Sequence, residues 1–391
     1  MTFQEISARM GIDTYPKALD ALYTQAPRLP VTEEMLCCWQ KELNLFGDFY
    51  DDVLRGYRDL LTKPTELAWT ATACAYLQTA PCAEARKLKL PQADESPARD
   101  MMPLFLLLSR LEWALAEYIR RGFSEKTVRE LMMVFQGDFR SNIRNCGRPG
   151  VNQSYYDWTM IFMHCYLLPC GGFKFDIRKN PTCAALLRNK DTGERRVLVF
   201  DVPIHRSGHR LGTAGYTDTE GAFTPTLEET ETHWQGNVAD NSGLVRLEKQ
   251  LFAKTQWELL AGPGDDVLGI HIPRGMDIRP EAVNAAIAGI TAHIRKYYPE
   301  LNIRAIHCNS WMLNPTLGAL IGHESKLALF SDRFCRYPAL SNGKAVFNFV
   351  FGTGDNPDLQ TLPEDTRLQR AIKQRYLDGG FIHAFGGYIF I

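Results

Sequence analysis

The sequence predicts an α+β protein: an all-α N-terminal domain is followed by a domain with a mixed β-sheet and flanking helices. Up to about residue 165 apolar residues recur at helical spacing, and from Gly171 onward the period changes toward two, as in strands. Residues 267–315 have the pattern of a buried strand, a polar loop, a long amphipathic helix and a second buried strand. We therefore predict a helical domain over residues 1–165 and a sheet domain over residues 166–391.

Composition limits the classes of function. A length of 391 residues favours two or three domains, and 45% hydrophobic with 23% charged residues is typical of a globular protein. A net charge of −1 gives no general attraction to nucleic acid or to an anionic membrane, so we expect neither as a partner. The N-terminus lacks the pattern of a targeting signal, and no apolar run is long enough to span a membrane, so we expect a cytoplasmic protein. The ten cysteines lack metal-site spacing, which favours reduced thiols and no metal.

The individual helices of the first domain follow from apolar periodicity and capping residues. Ser124 is a good N-cap, with Glu125 in the first helical turn, and Gly122 ends the helix before it. The predicted helices cover residues 35–61, 67–77, 101–121 and 125–139. A polar, proline-containing linker is predicted over residues 89–100.

The second domain is expected to start with a hairpin or meander. Phe173, Phe175 and Ile177 alternate with polar residues, and the turn residues 190–193 precede a strand at 197–202. Residues 205–225, rich in glycine and threonine, have the composition of a loop. Two more strands, at 346–351 and 381–391, are expected on either side of a helix at 365–377.

The stretch 267–315 is the most informative part of the chain. It predicts a strand at 266–272, a loop at 273–278, a helix from Pro280 to the residue before Pro299, and a strand at 303–310. A unit of this length implies parallel or neighbouring strands, and ligands bind where such strands meet loops.

These motifs also resemble a known family. The segments that carry the resemblance are HIPRG (271–275), the helix opening PE (280–281), CNSW (308–311) with the following NP, GGFKFDI (171–177), LEETETHWQGN (227–237) and LPEDTRLQRAI (362–372). Together they resemble a bacterial family of two-domain acyltransferase-domain proteins, whose C-terminal half is similar to the GNAT superfamily of acyl-CoA-dependent N-acetyltransferases. The resemblance covers most of the chain from about Gly122.

The resemblance implies a fold, a donor and a set of contacts. In a GNAT-like domain two central strands splay apart, an acyl thioester lies in the gap, and a helix N-terminus binds the pyrophosphate. Here it implies acyl-CoA as donor substrate, phosphate contacts from the backbone amides of Gly275, Met276 and Asp277, and added charge from Arg274. The loop departs from the usual GNAT motif, because Pro273 lacks an N–H and Asp277 would repel phosphate.

Four side chains are candidates for the chemistry, each with a structural alternative. His271 ends the first strand, where it is either a general base or a hydrogen-bonded structural residue. Cys308 and Ser310 lie on one face of the second strand, where either could be an acid or a nucleophile, or else a core residue and a turn cap. Glu229, in an acidic cluster with Glu228 and Glu231, matches a family position and could act as base through water; otherwise the cluster is a solvated face.

The sequence thus leads to three hypotheses about function. The first is an acyl-CoA-dependent N-acyltransferase acting on an amine of a small molecule or peptide, with a catalytic set drawn from His271, Glu229, Ser310 and Cys308. The alternative is a non-catalytic GNAT-like binding module that lost its phosphate loop, in which Arg274 or Met276 would fill the cleft. A third is a hydrolase acting through Cys308 or Ser310. The spacing of His205, His209 and His233 does not argue for a metal site.

Overall fold

The computed structural model describes residues 1–23, 28–91 and 96–391. The chain divides into two compact units, Met1–Leu167 and Leu168–Ile391. The predicted linker at 89–100 lies in part outside the described residues, because it includes residues 92–95.

The first unit is helical in its described residues. Its helices are α1 (Phe3–Arg9), α2 (Ala18–Leu22), α3 (Glu33–Leu43), α4 (Tyr50–Leu61), α5 (Pro64–Leu77), α6 (Cys82–Arg86), α7 (Pro97–Leu108), α8 (Leu111–Arg120), α9 (Glu125–Met132), α10 (Val134–Cys146) and α11 (Gln153–Met163). They enclose one continuous apolar core that includes Trp69, Phe105 and Tyr118. Helix α9 is capped by Ser124, whose hydroxyl accepts a hydrogen bond from the Thr127 N–H, as predicted.

Three predicted helices are each broken in two. The segment 125–139 is interrupted at Met133, between α9 and α10. The segment 35–61 is interrupted after α3 at Asn44, which adopts the left-handed conformation with φ of 49°. The segment 101–121 is interrupted at Arg110, a buried residue whose guanidinium donates to the carbonyl oxygens of Leu77 and Met163. A buried guanidinium needs such acceptors, and carbonyl groups at helix ends provide them. No proline or glycine marks the breaks at Arg110 and Met133, so apolar periodicity alone predicts continuous helices there, whereas Gly47, with a φ of 56°, lies within the break after α3.

The second unit contains two six-stranded sheets rather than the one mixed sheet that was predicted. The strands are β1 (Leu167–Cys170), β2 (Phe173–Lys179), β3 (Ala184–Asn189), β4 (Arg195–Val199), β5 (Leu227–Glu229), β6 (His233–Ala239), β7 (Val245–Ala253), β8 (Trp257–Ala261), β9 (Asp266–His271), β10 (Ala305–Ser310), β11 (Cys335–Pro338) and β12 (Phe385–Phe390). The first sheet has the order β1-β2-β9-β10-β12-β11; the second has β5-β6-β4-β3-β8, with β7 on the other side of β6. Apolar residues of both sheets form a shared core that includes Val197, Leu260 and Tyr388.

The second unit has four α-helices, of which the first and the last were predicted and the two short ones between them were not. The four are α12 (Pro280–Tyr297), α13 (Leu317–Ile321), α14 (Lys326–Ser331) and α15 (Arg367–Leu377). Helix α15 begins at a capping box formed by Thr366 and Gln369, close to the predicted start. The predicted strand at 346–351 is wrong: Phe347–Phe351 is one π-helical turn that ends at Gly352, with φ of 71°. Its valine and phenylalanine residues are typical of strands, and local composition does not distinguish a strand from a short apolar turn.

The hairpin β3–β4 has the predicted turn chemistry. The side-chain oxygen of Asn189 accepts hydrogen bonds from the N–H groups of Asp191 and Thr192, and Gly193 takes a φ of 72°. Helices and mixed sheets together confirm the α+β fold class. None of the helices in the described ranges is long and apolar enough to cross a membrane.

Candidate active site

The pairing between the two central strands of the first sheet ends before their carboxyl ends. β9 and β10 are parallel, and two residue pairs connect them: Leu268 lies opposite Ile306, and Gly269 lies opposite His307. β9 is paired with β2 as far as His271, and β10 is paired with β12 as far as Ser310. Each strand therefore stays paired on its outer side, while the described residues show no pairing between the inner edges beyond Gly269 and His307. We call this gap the split; backbone N–H and C=O groups on its inner sides can bind a ligand.

The loop after β9 leads directly into α12. Gly275 has a φ of 79°, and the N–H of Met276 donates to the carbonyl of Pro273 in a tight turn. The side chain of Met276 lies near Gly172, since a Cβ added there would come within 2.7 Å of its sulfur. Gly172 precedes β2, which flanks β9 on the side away from β10. Met276 is thus directed away from the split, and Arg274 is exposed.

The N-terminus of α12 is open and surrounded by cations. Arg279 occupies the N-cap position without a side-chain cap, so the first amides of the helix have no side-chain acceptor there. Hydrogen bonds from Arg279, with a smaller effect of the nearby Lys326, lower the pKa of Asp277 to about 2. The predicted repulsion of phosphate by Asp277 is offset by these charges. Arg333 donates to the Asn284 side chain and the Pro280 carbonyl, which places one more guanidinium at this helix end.

His271 is held by a buried ion pair on the neighbouring strand. Its Nε2 lies 2.8 Å from Oδ1 of Asp176, which is 2% exposed. Arg178 donates from Nε to the other carboxylate oxygen at 2.8 Å, and its Nη2 lies 2.9 Å from the same imidazole nitrogen. We assign the imidazole proton to Nε2, because a carboxylate is a stronger acceptor than a neutral imidazole. Burial alone would raise the pKa of Asp176, but the hydrogen bonds from His271 and Arg178 outweigh it and lower the pKa to about 2.

The narrow end of the split carries a second histidine. His307 is 4% exposed and its Nε2 lies 2.8 Å from the Tyr337 hydroxyl, while its buried Nδ1 has no hydrogen-bond partner among the described residues. Burial, with a smaller effect of Arg178, lowers the pKa of His307 to about 3. His307 is therefore neutral at ordinary pH. Because Gly269 has no side chain, the Arg178 guanidinium can lie against the backbone there. Gly269 and His307 form the last residue pair between β9 and β10.

The surroundings of Cys308 and Ser310 favour their structural alternatives. Cys308 is 3% exposed, and burial raises the pKa of its thiol to about 12, so the nucleophilic thiolate is disfavoured. The hydroxyl of Ser310 accepts a hydrogen bond from the Met312 N–H and caps the short turn Trp311–Leu313. These contacts do not support the hydrolase alternative.

The acidic cluster lies on the other sheet. Glu229 is in β5, where it pairs with Lys254 at 2.6 Å, and Glu228 pairs with Lys249 at the same distance. Glu231 is exposed. The structure therefore does not bring Glu229 together with His271, and the ion pairs match the alternative of a solvated, charged face.

The other three histidines considered in the sequence lie in two separate places. His205 and His209 both contact the Ser207 hydroxyl, and Nε2 of His205 lies 2.9 Å from Asp218. His233 is in β6, where its ring contacts the hydroxyls of Thr230 and Thr232. Across the described ranges, no group of three or more His, Cys, Asp or Glu residues is arranged to hold a metal ion. All ten cysteines, which lie within those ranges, carry free thiols.

Asp176, Arg178 and Tyr337 were not identified from the sequence as site residues. The available signal was the alternation in β2: Phe173, Phe175 and Ile177 face one way, so Asp176 shares the other face with Arg178. A charged face on a strand of an interior sheet indicates a site, but only the register with β9 connects it to His271.

Comparison with known proteins adds a family and a fold. The profile of the family described as GNAT-like C-terminal domain matches residues 173–389, more than half of the chain. Among curated proteins, none matches this chain significantly by sequence.

Solved acyltransferases share the fold over the whole chain. A structure of an acyltransferase in complex with CoA and 10C-teicoplanin is 14% identical, with a TM-score of 0.62, and covers 100% of this chain and 99% of that one. A structure of an acyltransferase in complex with decanoyl-CoA and teicoplanin is 15% identical, with the same TM-score and the same coverage. A tryptophan-to-alanine variant of an acyltransferase in complex with octanoyl-CoA is also 15% identical, with a TM-score of 0.62 and 100% coverage of both chains. At these identities the similarity establishes the fold alone.

Proposed function

Because this chain belongs to the GNAT-like C-terminal domain family, we propose that it is an acyl-CoA-dependent N-acyltransferase. The observation that carries the proposal is the split: the pairing of two parallel strands stops next to a histidine that is held by a buried carboxylate. A gap bordered by unpaired strand edges accepts an extended, amide-containing chain such as pantetheine, because the ligand can add backbone-like hydrogen bonds.

The donor substrate is proposed to enter through the loop after β9. The amides of Gly275, Met276 and Asp277, together with the open N-terminus of α12, would bind the pyrophosphate of CoA. Arg274, which is exposed, and Arg333, at the same helix end, supply positive charge. An inner-edge N–H of the split would then polarise the thioester carbonyl.

His271 is proposed as the general base. With Nε2–H donating to Asp176, the lone pair on Nδ1 can accept the proton that the amine loses as its nitrogen attacks the thioester carbonyl. The C–S bond then breaks and the CoA thiolate leaves. Asp176, which is buried and ionised, stabilises the imidazolium that forms. Arg178 holds the carboxylate in place from its other side.

The acceptor is proposed to be an amine on a small molecule or peptide. The solved acyltransferases with the same fold bind teicoplanin, which is a glycopeptide, and CoA or acyl-CoA. A cytoplasmic location, where acyl-CoA is supplied, is part of the proposal. The division into a helical domain over residues 1–165 and an acyltransferase domain over residues 166–391 stays a prediction.

The binding-module alternative is motivated by the PRGMDI loop, in which Pro273 lacks an N–H. Under this alternative, the side chain of Arg274 or Met276 would fill the split. The position of Met276 against Gly172 and the exposure of Arg274 do not support that expectation.

The test combines binding and turnover. Isothermal titration of the full chain with acetyl-CoA and octanoyl-CoA should give binding, and thiol release should accelerate with an acceptor from a panel of amino acids, short peptides and glycopeptides. His271→Gln should leave acyl-CoA affinity within about threefold and lower the rate of thiol release by roughly 10²- to 10⁴-fold, as expected for a lost general base. His233→Gln, in the second sheet, is the matched control and should keep both.

Three outcomes separate the alternatives. Folded protein that binds none of the acyl-CoAs would overturn the donor assignment. Binding without amine-dependent thiol release for any acceptor would favour the binding module. An unchanged rate in His271→Gln would remove His271 as base and leave the donor assignment intact.

A further inference from the structure

A second concave site lies away from the split. It is a cleft of about 660 Å³ beside β4, β7 and β11, and four arginines line it: Arg195, Arg196, Arg246 and Arg336. We call it the arginine cleft. In the first sheet β12 separates β11 from β10, so this cleft and the split are distinct. Its volume falls in the range of small-molecule sites, about 300–1,000 Å³.

The charges of the arginine cleft are not balanced by its own carboxylates. Its lining contains two acidic residues, Asp240 and Asp332, against the four arginines, which leaves two positive charges in excess. Arg246 pairs with Asp240, and Arg336 pairs with Asp332. Arg196 pairs with Glu194, which is outside the lining. Arg195, by contrast, is exposed and has no carboxylate partner among the described residues.

Arg336 contains a donor that has no acceptor. Its side chain is 9% exposed, and its Nε is buried without a hydrogen-bond partner in the part of the chain that the structure describes. A buried guanidinium N–H without an acceptor is unfavourable, and an arriving oxyanion would satisfy it. Three of the guanidinium groups also act on one thiol: burial raises the pKa of Cys335, and the charges of Arg195, Arg196 and Arg336 lower it in part. The positive charges therefore converge rather than being spread over the surface.

The cleft also has an apolar side. Phe334, Val197 and Val238 line it together with the arginines, and each exposes only a small part of its surface, 5%, 2% and 3% respectively. A bare inorganic ion would leave this apolar surface in contact with water. An anionic group attached to an apolar body would meet both parts of the lining.

We propose that the arginine cleft binds a small organic anion, that is, a carboxylate or phosphate group on an apolar body. The anion contacts Arg336 and Arg195, and the apolar part contacts Phe334 and the valines of β4 and β6. The site does not depend on the proposed acyl transfer.

Phenyl phosphate is a suitable probe, and isothermal titration of the full chain is the measurement. Wild type should bind phenyl phosphate at least tenfold more tightly than inorganic phosphate, and benzyl alcohol should not bind at millimolar concentration. Arg195→Gln, an exposed substitution that leaves the ion pairs intact, should weaken binding about tenfold, since one charge-assisted hydrogen bond is lost. Arg206→Gln, an exposed arginine that does not line the cleft, is the matched control and should bind as wild type does.

A second variant distinguishes this site from the proposed phosphate loop. Arg274→Gln alters that loop and should leave phenyl phosphate binding unchanged. Weakening by Arg274→Gln but not by Arg195→Gln would place the anion at the loop and overturn the proposal. Absence of binding at 10 mM (on the order of the weakest specific small-ligand affinities) would also overturn it, whereas failure of acyl-CoA to bind would leave it standing.

Discussion

Gly269→Ala should disrupt the ion pair behind His271 through one added methyl group. A Cβ at this position would lie 2.2 Å from the Nε and Cζ atoms of Arg178, far inside van der Waals contact. The backbone of β9 is paired on both sides at this point, with Asp176 opposite on β2 and His307 opposite on β10. The guanidinium is therefore the part that must move, and its movement breaks its two contacts with Asp176.

The expected loss of stability depends on how deeply the pair between Arg178 and Asp176 is buried. Breaking a fully buried pair costs about 3–5 kcal/mol. Here the Arg178 side chain is 30% exposed and can reach water, and Asp176 keeps its contact with His271. Replacing glycine by alanine in a strand recovers about 0.5–1 kcal/mol of backbone entropy. We therefore expect a net loss of about 2 kcal/mol in local stability.

Hydrogen–deuterium exchange of peptides covering β2 and β9 is the suitable assay, because a chain with two compact units does not guarantee two-state unfolding. The same substitution in an Arg178→Ala background has no guanidinium to displace. There Gly269→Ala should cost nothing or be slightly stabilising, which gives a coupling free energy of about 2 kcal/mol. Equal losses in the two backgrounds would refute the reasoning.

Two further predictions concern the same face of the sheet. The pKa of Asp176 is about 2 in the folded chain and about 3.9 when unfolded, so the carboxylate stabilises the fold above about pH 4, and roughly 2 kcal/mol is lost as pH falls toward 2. Asp176→Asn should flatten this part of the stability-versus-pH curve measured by urea unfolding; an unchanged slope would assign it to other carboxylates. Tyr337→Phe should cost about 1–3 kcal/mol in urea unfolding at pH 7, since the Nε2 of buried His307 would lose its partner. A double variant, Tyr337→Phe with His307→Leu, should recover part of the loss, because it removes the imidazole that Tyr337→Phe alone leaves without its partner.

The sequence predicts the segment from β9 to β10 well because its signals are local. Two apolar strands flank a helix that starts at Pro280 and ends before Pro299, and the observed bounds differ from the predicted ones by two residues at most. The parallel arrangement follows from the length of the crossover. The splayed strands themselves are an expectation from the family resemblance, since no local pattern states where pairing ends.

The site could be predicted only in part, for a physical reason. His271 is identifiable because it ends a strand next to a polar loop, but its carboxylate partner lies 95 residues away in the chain. Strand register between distant segments determines that contact, and a shift of one residue would place Asp176 on the opposite face of the sheet. Glu229 is the reverse case. It matches a family position in the sequence, but β5 belongs to the second sheet and Glu229 forms an ion pair with Lys254.

Gly269 links two features of the site, the end of the pairing between β9 and β10 and the position of the Arg178 guanidinium. Gly269 is in the last register at which β9 pairs with β10, and it is also the position where the Arg178 guanidinium lies against the strand. Any side chain there would compete with the guanidinium for the space beside Asp176, and without that guanidinium the carboxylate would be buried with His271 alone. The carboxylate would then lose one of the two side chains that hold it in place behind the imidazole. The absence of a side chain at Gly269 therefore leaves room for the guanidinium that fixes Asp176, and through Asp176 the orientation of His271 at the edge of the split.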